Sequence, residues 1–128
     1  MRQEIVRFVR SRAQHCCEYC RLHEFESPLI KHQVEHVVPK KHLGSDDADN
    51  LALACVACNL YKGSNLSGLD PETGALTPLF HPRRDAWDEH FEQQGDEIVG
   101  RTAIGRTTIQ VLRLNDPVHL RLRLASWM

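Results

Sequence analysis

At 128 residues the chain has the length of one compact domain, long enough for a modest core and short enough that a metal staple would add noticeably to its stability. Hydrophobic residues at 41% and charged residues at 26% are ordinary for a folded domain, and no repeat or low-complexity tract is visible, which excludes a disordered or fibrous chain. A formal charge of −1 gives no sign of a globally basic nucleic-acid binder, no window is long and apolar enough to span a membrane, and the start MRQEIVRFVRSRAQ lacks the apolar run of a signal peptide. The expectation is a cytoplasmic protein without a membrane partner. The charge is nevertheless uneven: residues 1–14 hold four Arg against one Glu, residues 70–100 hold eight acids against two Arg, and residues 101–128 hold five Arg against one Asp.

In chain order, residues 2–15 place Ile5, Val6, Phe8, Val9 and Ala13 among arginines, which predicts an amphipathic helix leading into HCCEYC. Residues 29–38, LIKHQVEHVV, are rich in β-branched residues and bounded by Pro28 and Pro39, so they read as a strand. The polar loop PKKHLGSDDADN follows, then LALA as a short second strand, then CVACNLYKG as a short helix that Gly63 stops. Residues 65–82 are dense in turn formers and read as loop wrapping the core. RRDAWDEHFEQQ sets Trp87, His90 and Phe91 at helical spacing, DEIVGR reads as a strand, Thr102 as the cap of a helix running to Leu114, and Asp116-Pro117 as the start of a last helix.

The cysteines carry the first chemical signal. Cys17 pairs with Cys20 and Cys55 with Cys58 in two C-x-x-C turns, and Cys16 is left over as a spare buried thiol. A two-residue gap lets two thiolates from one tight turn occupy two corners of a tetrahedron, so two such turns complete a structural Zn²⁺ site. The competing reading, a thioredoxin-like redox pair, needs a βαβ scaffold that the element order does not supply.

These features occur together in a recognisable order: CEYC, VEHVVP, DNLALAC and CVACNLYKG. In that order the chain resembles the HNH endonucleases of the ββα-metal superfamily, over roughly residues 12–64. The resemblance implies an α+β fold with a ββα-metal core, a four-cysteine zinc flank and helical extensions, in a single domain over residues 1–128, with residues 65–128 as an extension of it. It also implies a metal-dependent endonuclease that hydrolyses DNA phosphodiester bonds, leaving 5′-phosphate and 3′-hydroxyl ends. His36 would be the general base, because an imidazole can be neutral at working pH and still accept a proton. Glu35 and Asn59 would hold the catalytic Mg²⁺ or another divalent cation. Asn50 would hold the loop that orients the base, and Lys62 would contact a phosphate. Alternation along a strand sends neighbours to opposite faces, so Glu35 and His36 share a site only where the strand bends or ends. His32 and His42 read as surface or substrate-near residues, while Arg101, Arg106 and Arg113 face phosphates or water. Two other classes remain open at this point, a zinc-stapled nucleic-acid-binding module without catalysis and a zinc-stabilised protein-interaction domain.

Overall fold

The computed structural model describes residues 1–26, 31–117 and 119–120. The first helix, α1 (Gln3–Arg12), turns Val9 inward with no exposed surface, and Ile5 and Ala13 pack on the same side. It ends where Gln14 and His15 take positive φ values of 54° and 60°, which swing the chain into the first cysteine turn. Residues 29–30 of the expected strand lie outside the described residues. The remainder contains β1 (Gln33–His36), which pairs antiparallel with β2 (Leu51–Ala54).

The register of this hairpin divides its side chains between two layers. Val34 faces Leu53 and His36 faces Leu51 across the ladder, so these four share one face, and Leu51, Leu53 and Val34 pack there with Val9 of α1. Gln33, Glu35, Ala52 and Ala54 share the other face. That face meets α2 (Val56–Lys62), whose Asn59 and Lys62 reach Gln33 and Glu35. Arg12 locks α1 onto the hairpin by donating to the carbonyls of Ala48 at 2.9 Å and Leu51 at 2.7 Å. Arg10 likewise donates to the His32 carbonyl at 2.6 Å and to Glu24 at 3.2 Å. Part of the basic charge at the amino end thus holds the fold together.

Gly63, with φ 51°, caps α2 where the sequence placed the stop. The next segment differs from the expected loop: β3 (Ser67–Leu69) and β4 (Leu76–Pro78) form a second hairpin. Its turn is organised by Asp70, whose carboxylate accepts from the Glu72 amide at 3.0 Å, the Thr73 hydroxyl at 2.9 Å, and the Arg106 guanidinium at 3.0 and 2.8 Å. Turn formers dominate the composition of this stretch, and the two three-residue strands between them are too short to show a periodicity. The helical spacing of Trp87, His90 and Phe91 survives for one turn, α3 (Trp87–His90), after which β5 (Phe91–Gln94) and β6 (Glu97–Gly100) form a third hairpin around Gly95. The last long helix, α4 (Ala103–Leu112), starts as expected, with the Thr102 side chain accepting from the Gly105 amide at 3.1 Å. It stops two residues short of Leu114, at Arg113 in the left-handed region. Most of the further helix expected from Asp116-Pro117 lies outside the described residues.

The fold is α+β, and its larger core surrounds the cysteines: Tyr19, Leu22, Phe80, Phe91, Ile98, Leu112 and Leu114 pack in one cluster with Cys17, Cys20, Cys55 and Cys58. No helix among the described residues is long and apolar enough to cross a membrane. Leu53 belongs to the smaller cluster, has no exposed surface and joins α1 to the hairpin. Leu53→Ala is therefore expected to lower unfolding stability by about 2–5 kcal/mol in a denaturant titration.

Candidate metal centre and active site

The sulfurs of Cys17, Cys20, Cys55 and Cys58 lie within 4.8 Å of one another, and all four residues are buried. Each C-x-x-C turn points a backbone amide at its own first sulfur, Cys20 N–H to Cys17 Sγ at 3.5 Å and Cys58 N–H to Cys55 Sγ at 3.4 Å. A tetrahedron with metal–sulfur bonds of about 2.3 Å has edges of about 3.8 Å. The Cys20–Cys55 separation of 3.7 Å, bridging the two turns, matches that edge. The donor set is soft and enclosed, so these cysteines are positioned to form a zinc site. As free thiols they share charge unevenly. Hydrogen bonds from Cys17, Cys20 and Cys58 hold the Cys55 thiol far below its usual range, whereas hydrogen bonding to Cys17 and Cys55 raises Cys20, and burial raises Cys58.

The first turn is itself fixed to the hairpin and to the later chain. The Glu18 amide donates to the Leu53 carbonyl at 2.9 Å, and the Glu18 carboxylate accepts from the Leu53 amide at 2.8 Å and also meets Arg83. Trp87 Nε1 donates to the Tyr19 carbonyl at 2.8 Å. Cys16, expected as a buried thiol, is only partly covered and lies outside the cluster.

His36 stands at the end of β1, with its side chain 23% exposed. Its Nε2 lies 2.7 Å from Asp46 Oδ1, and Lys40 Nζ lies 3.2 Å from the other oxygen of the same carboxylate. Hydrogen bonds from His36 and then Lys40 hold Asp46 below the usual carboxylate range. An ionised carboxylate only accepts, so Nε2 carries the hydrogen and Nδ1 is the nitrogen left for chemistry in the neutral ring. The loop that carries Asp46 is clamped by Asn50: its carboxamide accepts from the Val38 amide at 2.9 Å and donates to the carbonyls of Val38 at 3.0 Å and Ser45 at 2.8 Å. Gly44 is required there, because a Cβ would overlap the Val38 carbonyl oxygen. Lys40, Lys41 and His42 are exposed on the same loop, and Leu43 at its tip is 94% exposed with φ 69°.

Glu35 points the other way. It is 6% exposed, accepts from the Tyr19 hydroxyl on one oxygen, and lies 3.1 Å from Lys62 Nζ on the other. Burial raises its carboxyl above the usual range, against the opposing pull of Lys62 and Tyr19. Lys62 is 1% exposed and spends its remaining donors on the carbonyls of His36 at 3.3 Å and Val37 at 2.9 Å. The phosphate contact expected of Lys62 thus meets an ammonium that faces inward and pins the end of β1. Asn59 is on the open side of α2, donating to Gln33 Oε1 at 2.6 Å. Glu35 and Asn59, expected on one cation, are therefore committed to different partners. Among the described residues, the four cysteines form the one group of three or more His, Cys, Asp or Glu side chains close enough to hold an ion.

His32 lies elsewhere than expected, and the remaining candidates are placed as follows. His32 is buried and bonds the Leu22 carbonyl at 2.8 Å, whereas His42 is exposed. Arg106 is held by Asp70, Arg101 approaches Glu92 at 3.8 Å, and Arg113 lies over the Tyr61 ring at 4.8 Å. Sequence reasoning missed Asp46, one of several acids in SDDADN with nothing to single it out. It also missed His119, whose Nε2 lies 3.5 Å from Cys58 Sγ across a separation of 61 residues.

Residues 17–65 match a family model described as HNH endonuclease. The matched segment holds both cysteine pairs, β1, the clamped loop, β2 and α2. No curated protein and no solved structure matches the chain significantly.

Two outcomes are expected from this geometry. Zinc binding contributes about 10–16 kcal/mol in small metal-folded domains, comparable to or above a typical net stability of about 5–15 kcal/mol. Cys58→Ser should therefore abolish stoichiometric zinc in elemental analysis and collapse the melting transition, as should prolonged chelation of the parent protein. Lys62→Met leaves Glu35 buried without its cation and should cost about 3–5 kcal/mol in a denaturant titration. The double variant with Glu35→Gln should recover part of that loss; weakened nucleic-acid binding at unchanged stability would instead return Lys62 to a phosphate-binding role.

Proposed function

From the match of residues 17–65 to the HNH endonuclease family model, we propose that the protein is a divalent-metal-dependent endonuclease that hydrolyses DNA phosphodiester bonds, with His36 as the general base. One observation carries the reading: within the matched segment, a partly exposed histidine has its Nε2 tied to Asp46, which leaves Nδ1 as the acceptor nitrogen of the neutral ring. Fixing Nε2–H on Asp46 selects the tautomer in which Nδ1 is an acceptor and restricts rotation of the ring. His36 takes a proton from water on Nδ1 as the water oxygen bonds to phosphorus. The bond to the 3′ oxygen then breaks, leaving a 5′-phosphate and, after that oxygen gains a proton from solvent, a 3′-hydroxyl. Asn50 acts through the loop, keeping Asp46 and the end of β1 at one separation. Exposed Lys40 and Lys41 beside Asp46 offer point charges to the backbone of a bound strand.

A divalent cation would stabilise charge on the leaving oxygen. Asn59 is open to such an ion, and Glu35 joins it only if its carboxylate leaves Tyr19 and Lys62, so no step is drawn through that pair. The inward Glu35 also favours a second reading, a zinc-stapled nucleic-acid-binding module without catalysis.

Supercoiled plasmid incubated with purified protein and Mg²⁺, Mn²⁺ or EDTA separates the two. The enzyme reading expects nicking that EDTA stops, and a loss of about 10²–10⁴-fold in rate for His36→Ala with DNA and zinc binding retained. Asn59→Ala should raise the Mg²⁺ needed for nicking while leaving the melting curve nearly unchanged. Binding at low salt without nicking under any metal would establish the module instead.

A further inference from the structure

His119 lies beyond the matched segment, in the turn that follows Pro117, where the Leu120 amide bonds the Asp116 carbonyl at 3.0 Å. It is 2% exposed. Its Nε2 is 3.5 Å from Cys58 Sγ and 3.9 Å from Cys55 Sγ, and its Nδ1 is buried with no hydrogen-bond partner among the described residues. A buried imidazole with one nitrogen unsatisfied is costly unless the other makes a strong bond, and the sulfurs of the second cysteine turn are the partners within reach. The ring nitrogen stands outside the group of four sulfurs that lie within 4.8 Å of one another, so it approaches the cluster as a donor from its rim.

We infer that His119 is a positioning residue of the zinc site, giving an N–H···S bond to Cys58 and Cys55 that docks the turn around His119 onto the metal cluster and slows metal release. The inference rests on the four-cysteine zinc reading and is independent of whether the protein cuts DNA. Its physical basis is charge. Four thiolates on one Zn²⁺ leave an excess of two negative charges inside the core, and each turn supplies one backbone amide to its first sulfur. Cys58 Sγ, the second sulfur of its turn, stands beyond the reach of that amide and receives the imidazole. A donor there spreads the charge, makes the sulfur less prone to leave the metal, and couples the turn around His119 to α2. Metal loss frees the sulfurs to move apart and takes away the fixed acceptor that the ring is buried against, so metal release and undocking of the segment around His119 proceed together.

The test uses the zinc-loaded full chain and two substitutions of similar volume, His119→Gln, which retains an N–H donor, and His119→Leu, which does not. Zinc transfer to an excess chromophoric chelator is followed together with amide hydrogen exchange at Leu120 and the absorption spectrum of the Co²⁺-substituted protein. The expected result is release about 10–100-fold faster for His119→Leu, with Leu120 exchange accelerated in step and His119→Gln close to the parent. The cobalt spectrum should keep its four-sulfur character in all three proteins. Equal release rates in the parent and His119→Leu overturn the inference, as does equal acceleration in both variants, which would make ring packing the cause. A parent cobalt spectrum with mixed nitrogen and sulfur ligation that turns purely sulfur in His119→Leu overturns it too, making His119 a ligand. Failure of the parent itself to take up zinc would count against the four-cysteine reading and is distinguished by elemental analysis before release is measured.

Discussion

Convergence of two C-x-x-C turns on one buried point is the constraint from which the rest of the structure follows. Cys20 and Cys55 are 35 residues apart in the sequence, and their sulfurs nevertheless come within 3.7 Å. That contact fixes the start of α2 relative to the first turn, and the bonds between Glu18 and Leu53 fix the first turn relative to β2. The larger core then closes around the sulfurs with Tyr19, Phe80 and Phe91, so the cluster is inside the hydrophobic interior and is not an appendage to it. A soft cation in that position is worth as much as a small domain's whole net stability.

Within this frame the period of a β-strand divides the work of two adjacent residues. Glu35 and His36 follow one another, so one faces α2 and the other faces the side of α1. Glu35 joins Tyr19 and Lys62 in a buried polar group, while His36 stays at the margin and finds Asp46 across the loop. Lys62 links the halves, since the ammonium that balances Glu35 also binds the carbonyls of His36 and Val37. The buried ion pair thereby fixes the backbone that presents the partly exposed histidine.

Charge is used in the same way elsewhere. The arginines concentrated near the amino end suggest an electrostatic surface, but Arg10 and Arg12 are bound to backbone carbonyls of neighbouring segments, and Arg106 is forked onto Asp70. What remains exposed beside His36 is the short run of Lys40 and Lys41. A net charge near zero does not prevent local attraction for a polyanion, because attraction between a cation and a phosphate falls off within about one Debye length, near ~8 Å at physiological salt, so nearby cations count for more than the total.

Local chemistry explains which parts of this were legible in the sequence. C-x-x-C spacing, the β-branched run before Pro39, the LALA strand, Gly63 as a stop and Thr102 as a cap each act over a few residues, and the structure places those elements accordingly, with the first strand shortened to Gln33–His36. Asn50 carries its own signal too, because an asparagine beside a polar loop tends to bond nearby backbone. Asp46 as the partner of His36, the inward turn of Glu35 and Lys62, and His119 against Cys58 are contacts across 10, 27 and 61 residues respectively. The hairpin of residues 67–78 belongs with them, since its turn is held by an arginine 36 positions after Asp70. By itself the sequence determined the four-cysteine set and the order of the central elements, because propensity, capping and thiolate spacing are properties of short segments. Tertiary structure alone decided which carboxylate serves that histidine, which lysine is buried and which distant imidazole meets the sulfurs, because partner choice depends on where a packed core leaves a polar group with a single neighbour to bond.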